Sequence, residues 1–339
     1  MMVNAALVGL GNVNRSLLRI LADKAARLQH DHGIGFRIVL VADSRGVAVD
    51  PAGFDPADIV ARKLAGATTV DFPGYRGADP VEDLLTLEGI DLVFEASPVD
   101  LRTGGPGLAV TRAALQCGVS VVLANKGPVV LAFRELHQMA ARTGAGLKYS
   151  ATVCGGLPVL NIGRRDMIAG DIQRLRGVFN ATSNFILDEM AAGKPYRDAL
   201  AEAQRRGIAE ADPSLDVDGW DTANKLLIIA NSLLGADISL DDIAVTGIRD
   251  VTAERIAGEA ARGNVIRLVA SAEAGRYAVA PLALPAADFL AQCRGWEMAV
   301  EMHTDIYGIS YHKLWEREPT PTAASMLRDA VHIFAPKAA

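Results

Sequence analysis

Short apolar runs alternate with stretches of helical period over roughly the first 150 residues, and this alternation narrows the fold more than any other feature. Residues 3–8 form an apolar run that ends at Gly9. Residues 12–30 then carry Val13, Leu17, Leu18, Ile20, Leu21 and Leu28 at helical spacing. Further β-rich runs follow at 36–42, 91–96 and 119–124, with a helical stretch at 109–116. Strands that alternate with helices predict a parallel sheet covered on both faces. Residues 46–77 are rich in Gly, Ala and Pro, and one helix is expected there, near 56–64.

The texture changes near residue 150. A strand is expected at 172–179 and helices at 183–192, 197–206 and 222–234, the last two stopped by Gly207 and Gly235. Two runs, 265–272 and 277–284, predict a β-hairpin around Gly275. An amphipathic helix at about 322–333 closes the pattern and is expected to pack back on the first domain. The chain therefore reads as an α/β domain followed by a mixed α+β domain.

The formal net charge of -6, with acidic and basic residues mixed and no long basic run, argues against a nucleic-acid partner. The three cysteines, Cys117, Cys154 and Cys293, are far apart and form no CxxC pair, so they predict reduced thiols. The N-terminus lacks the charged region and cleavage site of a signal peptide. No run of about 20 apolar residues could cross a bilayer. A soluble, cytoplasmic protein without a membrane partner is expected.

Gly9-Leu10-Gly11 ends the first strand and opens the first helix. In that setting Gly9 makes the tight turn, and Gly11 lets backbone approach a pyrophosphate at the positive helix end. The third glycine of the usual fingerprint is replaced by Asn14, which leaves room for a slightly larger strand–helix spacing. Asp43 ends the second strand, where it could accept bonds from the ribose 2′-OH of NAD. Arg45 could instead pair with the 2′-phosphate of NADP. An ordinary solvated turn would give the same DSRG composition, so NAD and NADP both remain open.

Between Gly207 and Lys225 lie Glu210, Asp212, Asp216, Asp218 and Asp221. Asp221 and Lys225 are four apart and would share a helix face. Lys225 opens an apolar run, which would place its stem against a core and its ammonium among carboxylates. Such an ammonium can polarise a carbonyl or relay a proton. A surface loop capping a helix, with an ordinary ion pair, is the plainer reading. Lys126, held between Asn125 and a Gly-Pro turn, follows a strand end, where ligands bind in open α/β sheets.

Taken together, these segments resemble the homoserine dehydrogenase family. The likeness runs through VGLGNV at the N-terminus, ANKGPV at 124–129, YSATVCGGLPVL at 149–160 and GVFNATSNFIL at 177–187. It continues through EAQRRGIAEADPSLDVDGWDTANKLLIIA at 202–230 and PTAASMLRD at 321–329. The resemblance implies an NAD(P)-dependent enzyme that interconverts L-aspartate 4-semialdehyde and L-homoserine in threonine and methionine biosynthesis. It implies a Rossmann-type nucleotide-binding domain over 1–148, completed by the C-terminal helix, 306–339. A mixed α+β substrate and dimerisation domain would occupy 149–305, and the chain would form a homodimer.

By the same resemblance, Lys126 and Lys225 are the active-site lysines. Glu210, Asp216, Asp221, Thr182 and Gly207 would meet the substrate. Gly9, Gly11, Asn12, Val13, Asp43, Arg45, Ser97, Asn125, Lys126 and Gly308 would meet the cofactor. The carbonyls of Ser150, Val153, Gly155 and Leu157 match a monovalent-cation site, and such oxygens suit sodium or potassium.

The sequence also departs from the family. Asn14 replaces a glycine, Ser150 stands where many members carry glutamate, and Asn180-Ala181-Thr182 stands for Asn-Gly-Thr. The glycine-rich approach to the last helix is replaced by Asp305-Ile306-Tyr307-Gly308-Ile309. No regulatory ligand-binding domain is expected after the last helix. Rival readings are another amino-acid dehydrogenase of this architecture, a non-catalytic dinucleotide sensor, and a semialdehyde dehydrogenase using Cys154 as nucleophile. The last lacks a placed base among the six histidines.

Overall fold

Val3, Ala5, Ala6 and Leu7 are all completely buried, because their strand lies in the middle of a sheet covered on both faces. That is why it reads as a continuous apolar run and not as an alternation. In the computed structural model, which describes residues 1–335 apart from Glu88 and Glu318, the chain forms two units. The first is Met1–Gly156 with Glu318–Ala339, and the second is Leu157–Arg317.

The first unit holds six strands: β1 (Met2–Val8), β2 (Gly35–Asp43), β3 (Gly46–Phe54), β4 (Leu92–Glu95), β5 (Ser120–Leu123) and β6 (Leu147–Lys148). Their order is β3-β2-β1-β4-β5-β6. All neighbours are parallel except β2 and β3. Strand β3 was not anticipated. Its Pro51 and Gly53 are tolerated because it is an edge strand. It returns from β2 through a two-residue turn at Ser44-Arg45. The expected helix at 56–64 is present as Pro56–Leu64, started by Asp55, whose side chain accepts from the Ala57 N–H.

Helix Asn12–His32 runs for 21 residues, which accounts for the long spacing between Gly9 and Asp43. The last helix, Thr320–Phe334, places Ala323, Met326, Leu327, Ala330 and Val331 in the same core as Leu17, Leu18 and Leu21 of the first helix.

The second unit holds β7 (Ile172–Val178), β8 (Ile243–Val245), β9 (Asn264–Glu273), β10 (Arg276–Pro285), β11 (Glu297–Thr304) and β12 (Gly308–Trp315). The order is β12-β11-β7-β9-β10-β8. The expected hairpin is β9–β10, turned by Ala274 and Gly275 at φ of 50° and 73°. The pair β11–β12 was not anticipated. The sequence reading put 306–339 with the first domain, but Gly308–Trp315 is hydrogen-bonded to β11 in the second sheet. Of that span, 336–339 lies outside the described residues. No helix among the described residues is long and apolar enough to cross a membrane.

Candidate active site

In the first unit the candidate residues gather at the carboxyl ends of β1, β4 and β5. Gly9 has φ of 82°, and a Cβ there would lie 2.5 Å from the Ala96 carbonyl oxygen, so only glycine fits. Gly11 meets the opposite surroundings: nothing lies within 4 Å of a Cβ built on it. It precedes helix Asn12–His32, whose first turn carries no acidic residue. The first backbone N–H groups of a helix lack intrahelical acceptors. Open space, free donors and a positive helix end suit a pyrophosphate.

Asn14 does not loosen this turn. It is fully buried, and its amide donates to the carbonyls of Gly9 at 2.7 Å, Val8 at 3.2 Å and Phe94 at 3.4 Å. The residue in the third glycine's place thus ties the helix start to β1 and β4.

Asp43 is already committed. Oδ1 accepts from the Arg45 N–H at 2.9 Å and Thr69 Oγ1 at 2.8 Å. Oδ2 accepts from Lys63 Nζ at 2.9 Å and the Thr69 N–H at 3.2 Å. Burial raises this carboxyl, but the bonds from Lys63, Arg45 and Thr69 outweigh it and hold it below its ordinary range. Lys63 was missed in the sequence because it lies on a different element, twenty residues from Asp43.

Glu95 ends β4 between Val8 of β1 and Leu123 of β5, and it is fully buried. Its Oε1 accepts from the Ser97 N–H at 2.9 Å and also from Ser97 Oγ. Burial pushes the carboxyl up to about 7, with the Ser97 and Asn125 bonds pulling back. Asn125 Nδ2 donates to Ser97 Oγ at 3.3 Å and to the Pro98 carbonyl at 3.4 Å, and its Oδ1 accepts from the Gly127 N–H at 2.9 Å. Ser97, Asn125 and the half-buried Lys126 therefore belong to two adjoining, mutually bonded turns.

The second unit brings together Asn180, Asp216, Asp221 and Lys225. Helix Trp220–Ile229 presents Asp221 and Lys225 on one face, with Nζ 2.8 Å from Asp221 Oδ2. The same ammonium donates to the Phe179 carbonyl at 2.6 Å. Asn180 follows β7 and caps helix Ala181–Ala191 through its Oδ1. Its Nδ2 donates to Asp216 Oδ1 at 2.7 Å and Asp221 Oδ2 at 2.8 Å. Burial, and next the Asp221 charge, push the Asp216 carboxyl above its ordinary range; Asn180, Lys225 and Thr182 pull it back. Thr182 also donates to the Ile208 carbonyl at 3.0 Å, which ties this helix to the segment after Gly207. Glu210 is exposed, and its carboxylate makes none of the contacts that join these four residues.

Two expectations are placed differently. Gly308 has φ of 75° and closes the β11–β12 turn, where Thr304 Oγ1 accepts from the Tyr307 N–H at 2.9 Å and donates to the Gly308 carbonyl at 3.2 Å. It pairs with Thr304, whose other neighbour, Ile172, begins β7. Gly308 thus sits at the opposite end of β7 from Asn180, as a turn residue. Of the four cation carbonyls, those of Ser150, Val153 and Gly155 belong to the first unit and that of Leu157 to the second. The Ser150 and Leu157 carbonyls accept from the N–H groups of Val153 and Val159. The Gly155 carbonyl accepts from Ser325 Oγ at 2.8 Å. A carbonyl oxygen keeps a second lone pair for a cation.

Ser150, which the resemblance puts in a glutamate's place, meets a carboxylate from the last helix. Its N–H and Oγ donate to the two oxygens of Asp329, each at 2.7 Å, and Asp329 is fully buried. Replacing Asp329 with Ala removes the buried carboxylate that accepts from both Ser150 donors, so stability should fall by about 2–4 kcal/mol. Urea unfolding reads this as a lower midpoint at unchanged slope. The Cys154 thiol is buried, which removes it as an accessible nucleophile.

Comparison with known proteins agrees with this architecture. The family model described as homoserine dehydrogenase matches residues 158–331. An NAD(+)-dependent homoserine dehydrogenase of Pseudomonas canavaninivorans is 31% identical, over 97% of this chain and 95% of that one. The crystal structure of a homoserine dehydrogenase from Thiobacillus denitrificans superposes with a TM-score of 0.84 at 30% identity, covering 98% of this chain and 73% of that one. A hyperthermophilic archaeal homoserine dehydrogenase in complex with NADPH gives a TM-score of 0.85 at 26% identity, covering 98% and 97%. This chain belongs to the homoserine dehydrogenase family.

Proposed function

We propose that this protein transfers a hydride reversibly between a nicotinamide cofactor and the C4 carbon of L-aspartate 4-semialdehyde, giving L-homoserine. The observation that carries the reading is the cluster of Asn180, Asp216, Asp221 and Lys225, which holds one ammonium on the buried Asp221 with the half-buried Asp216 joined through Asn180. The bound cofactor supplies the hydride. The aldehyde oxygen then gains negative charge and needs a proton, and Lys225 is held at a fixed position to supply both charge and proton. Lys126 is the second candidate for this role. Asp216, with Thr182 bonded to it, would hold the substrate's α-amino group, and Glu210 and Gly207 would join it when substrate binds. An ammonium held at a fixed position on Asp221 would have no task in a sensor, which disfavours that reading.

The glycine turn, with Asn12, Val13, Ser97, Asn125 and Lys126, fits the dinucleotide, and the committed state of Asp43 favours NADP over NAD. A carboxylate with four donors on it is a poor acceptor for a ribose hydroxyl. Lys63 holds an ammonium at that spot, and Arg45, whose backbone bonds Asp43, carries an exposed guanidinium that could reach a 2′-phosphate. Arg45→Ala should lower kcat/KM for NADP about tenfold or more, a loss expected of one charge-assisted phosphate contact, with NAD little changed. Equal losses for both cofactors would remove Arg45 from 2′-phosphate recognition.

A sodium or potassium ion on the carbonyls of Ser150, Val153, Gly155 and Leu157 would be structural. We also propose a cytoplasmic homodimer. Ile309, Tyr311 and Trp315 lie on one face of the edge strand β12 with Lys313 between the last two and are half or more exposed, the kind of mostly apolar edge that interfaces cover. The reaction is tested by incubating protein, NADPH and aspartate 4-semialdehyde and looking for homoserine by chromatography against an authentic standard. No homoserine, with NADPH left unconsumed, would contradict it.

A further inference from the structure

Glu95 is a buried acid that the proposed chemistry does not use. It is the last residue of β4, flanked in the sheet by Val8 and Leu123, where a carboxylate is costly to bury without partners. Its partners all belong to the turns that leave the sheet. Ser97 donates twice to Oε1, through its N–H and its hydroxyl. Asn125 donates to Ser97 Oγ and to the Pro98 carbonyl, and accepts from the Gly127 N–H. The turn after β4 and the turn after β5 are thereby joined through one carboxyl group.

The surroundings are shaped to admit this network. A Cβ on Gly107 would lie 2.5 Å from Asn125 Nδ2 and 3.0 Å from Glu95 Oε1. A Cβ on Gly127 would lie 2.9 Å from the Asp100 carbonyl oxygen and 3.1 Å from Asn125 Oδ1. Glycine at both positions lets helix Gly105–Gln116 and the Lys126 turn close over the acid. Glu95 Oε2 is buried and has no hydrogen-bond partner. An apolar residue would fill this position with less loss of solvation, so the bonds to Ser97 and Asn125 are what the acid contributes.

We propose that Glu95 is a positioning residue for dinucleotide binding: it orients Ser97 and, through it, Asn125, so that the turns after β4 and β5 present one fixed surface to the nicotinamide end of the cofactor. The assignment rests on the dinucleotide reading above. It concerns a side chain that does not itself touch the ligand. What the turn requires from Glu95 is an acceptor for two Ser97 donors, and a glutamine carbonyl can serve as that acceptor.

The test is a direct titration of NADPH by its fluorescence, with no substrate present. Glu95→Ala should raise the Kd for NADPH at least tenfold, and Glu95→Gln should stay within about threefold of the parent, since one acceptor for Ser97 is kept. Glutamine keeps both the volume and the acceptor, so Glu95→Met, which keeps the volume alone, separates the two: it should bind NADPH as weakly as the alanine variant, and parent-like binding by it overturns the proposal. A Kd for Glu95→Ala within twofold of the parent overturns the proposal, as does a glutamine variant as weak as the alanine one. Should Glu95→Ala fail to fold, Glu95→Met carries the test alone: it fills the same volume without an acceptor for Ser97 and should weaken NADPH about tenfold, and a Kd within twofold of the parent overturns the proposal. A parent protein that binds NADPH while these variants match it loses this inference alone. A parent that binds neither NADPH nor NADH loses the dinucleotide reading with it.

Discussion

Lys225→Ala should lower kcat for homoserine oxidation by roughly two to four orders of magnitude, the span expected when a positioned proton-transfer group is lost. The residue is restrained on two sides, by Asp221 at 2.8 Å and the Phe179 carbonyl at 2.6 Å. A group held this way loses little freedom when the reaction proceeds. Alanine leaves Asp221 with the Asn180 donor, so the carboxylate is not stranded and the fold should survive. Lys225→Arg separates charge from proton transfer. Arginine keeps the positive charge but holds its proton far more tightly, so it should restore KM for homoserine without restoring kcat. Steady-state kinetics with a thermal melt on each variant reads both. A kcat for Lys225→Ala within tenfold of the parent removes Lys225 from the chemistry and leaves Lys126 to carry it.

Asn180→Ala should raise KM for homoserine about tenfold to a hundredfold at neutral pH, with a smaller change in kcat. The two hydrogens of one amide nitrogen bond to Asp216 and Asp221, so Asn180 separates two like charges that would otherwise repel. Each such bond to a charged group is worth about 1.5–3 kcal/mol. The direction with pH follows from Asp216. Its carboxyl already lies above its ordinary range, from burial and then from Asp221, and Asn180 opposes that rise. Without Asn180 it rises further, and Asp216 stays protonated to higher pH. A protonated Asp216 cannot attract the substrate ammonium. The acid limb of kcat/KM should therefore move to more alkaline pH, and the loss should shrink as pH increases. A uniform loss at every pH would point to the lost helix cap of Asn180 instead.

The elements that the sequence made legible are those with one local pattern. β1, β2, β4 and β5 are buried on both faces, so they read as apolar runs without reference to any neighbour. Asp221 and Lys225 were legible as a pair because four residues on a helix bring side chains together. Asn180 was not, since its partners lie 36 and 41 residues away. Lys63 escaped notice for the same reason. Glu95 sat inside the run DLVFEA, where one acid does not change the strand reading, and only the fold shows what it touches. β3 was hidden by Pro51 and Gly53, which an edge strand tolerates. β12 alternates Ile309, Tyr311 and Trp315 with partly buried residues, but expectations drawn from the family's last helix covered that stretch. Asn14 shows the limit of a motif. The departure from glycine suggested a looser turn, whereas the amide made bonds that a glycine cannot make.

Homoserine oxidation by the purified protein is the most direct consequence of the proposed site. Purified protein with L-homoserine and NADP at alkaline pH, followed by absorbance at 340 nm, should show a steady rise that depends on homoserine. The rise should be faster than with NAD and absent with L-serine. No rise with either cofactor, with sodium or potassium present, would contradict the proposed reaction despite the family to which the chain belongs.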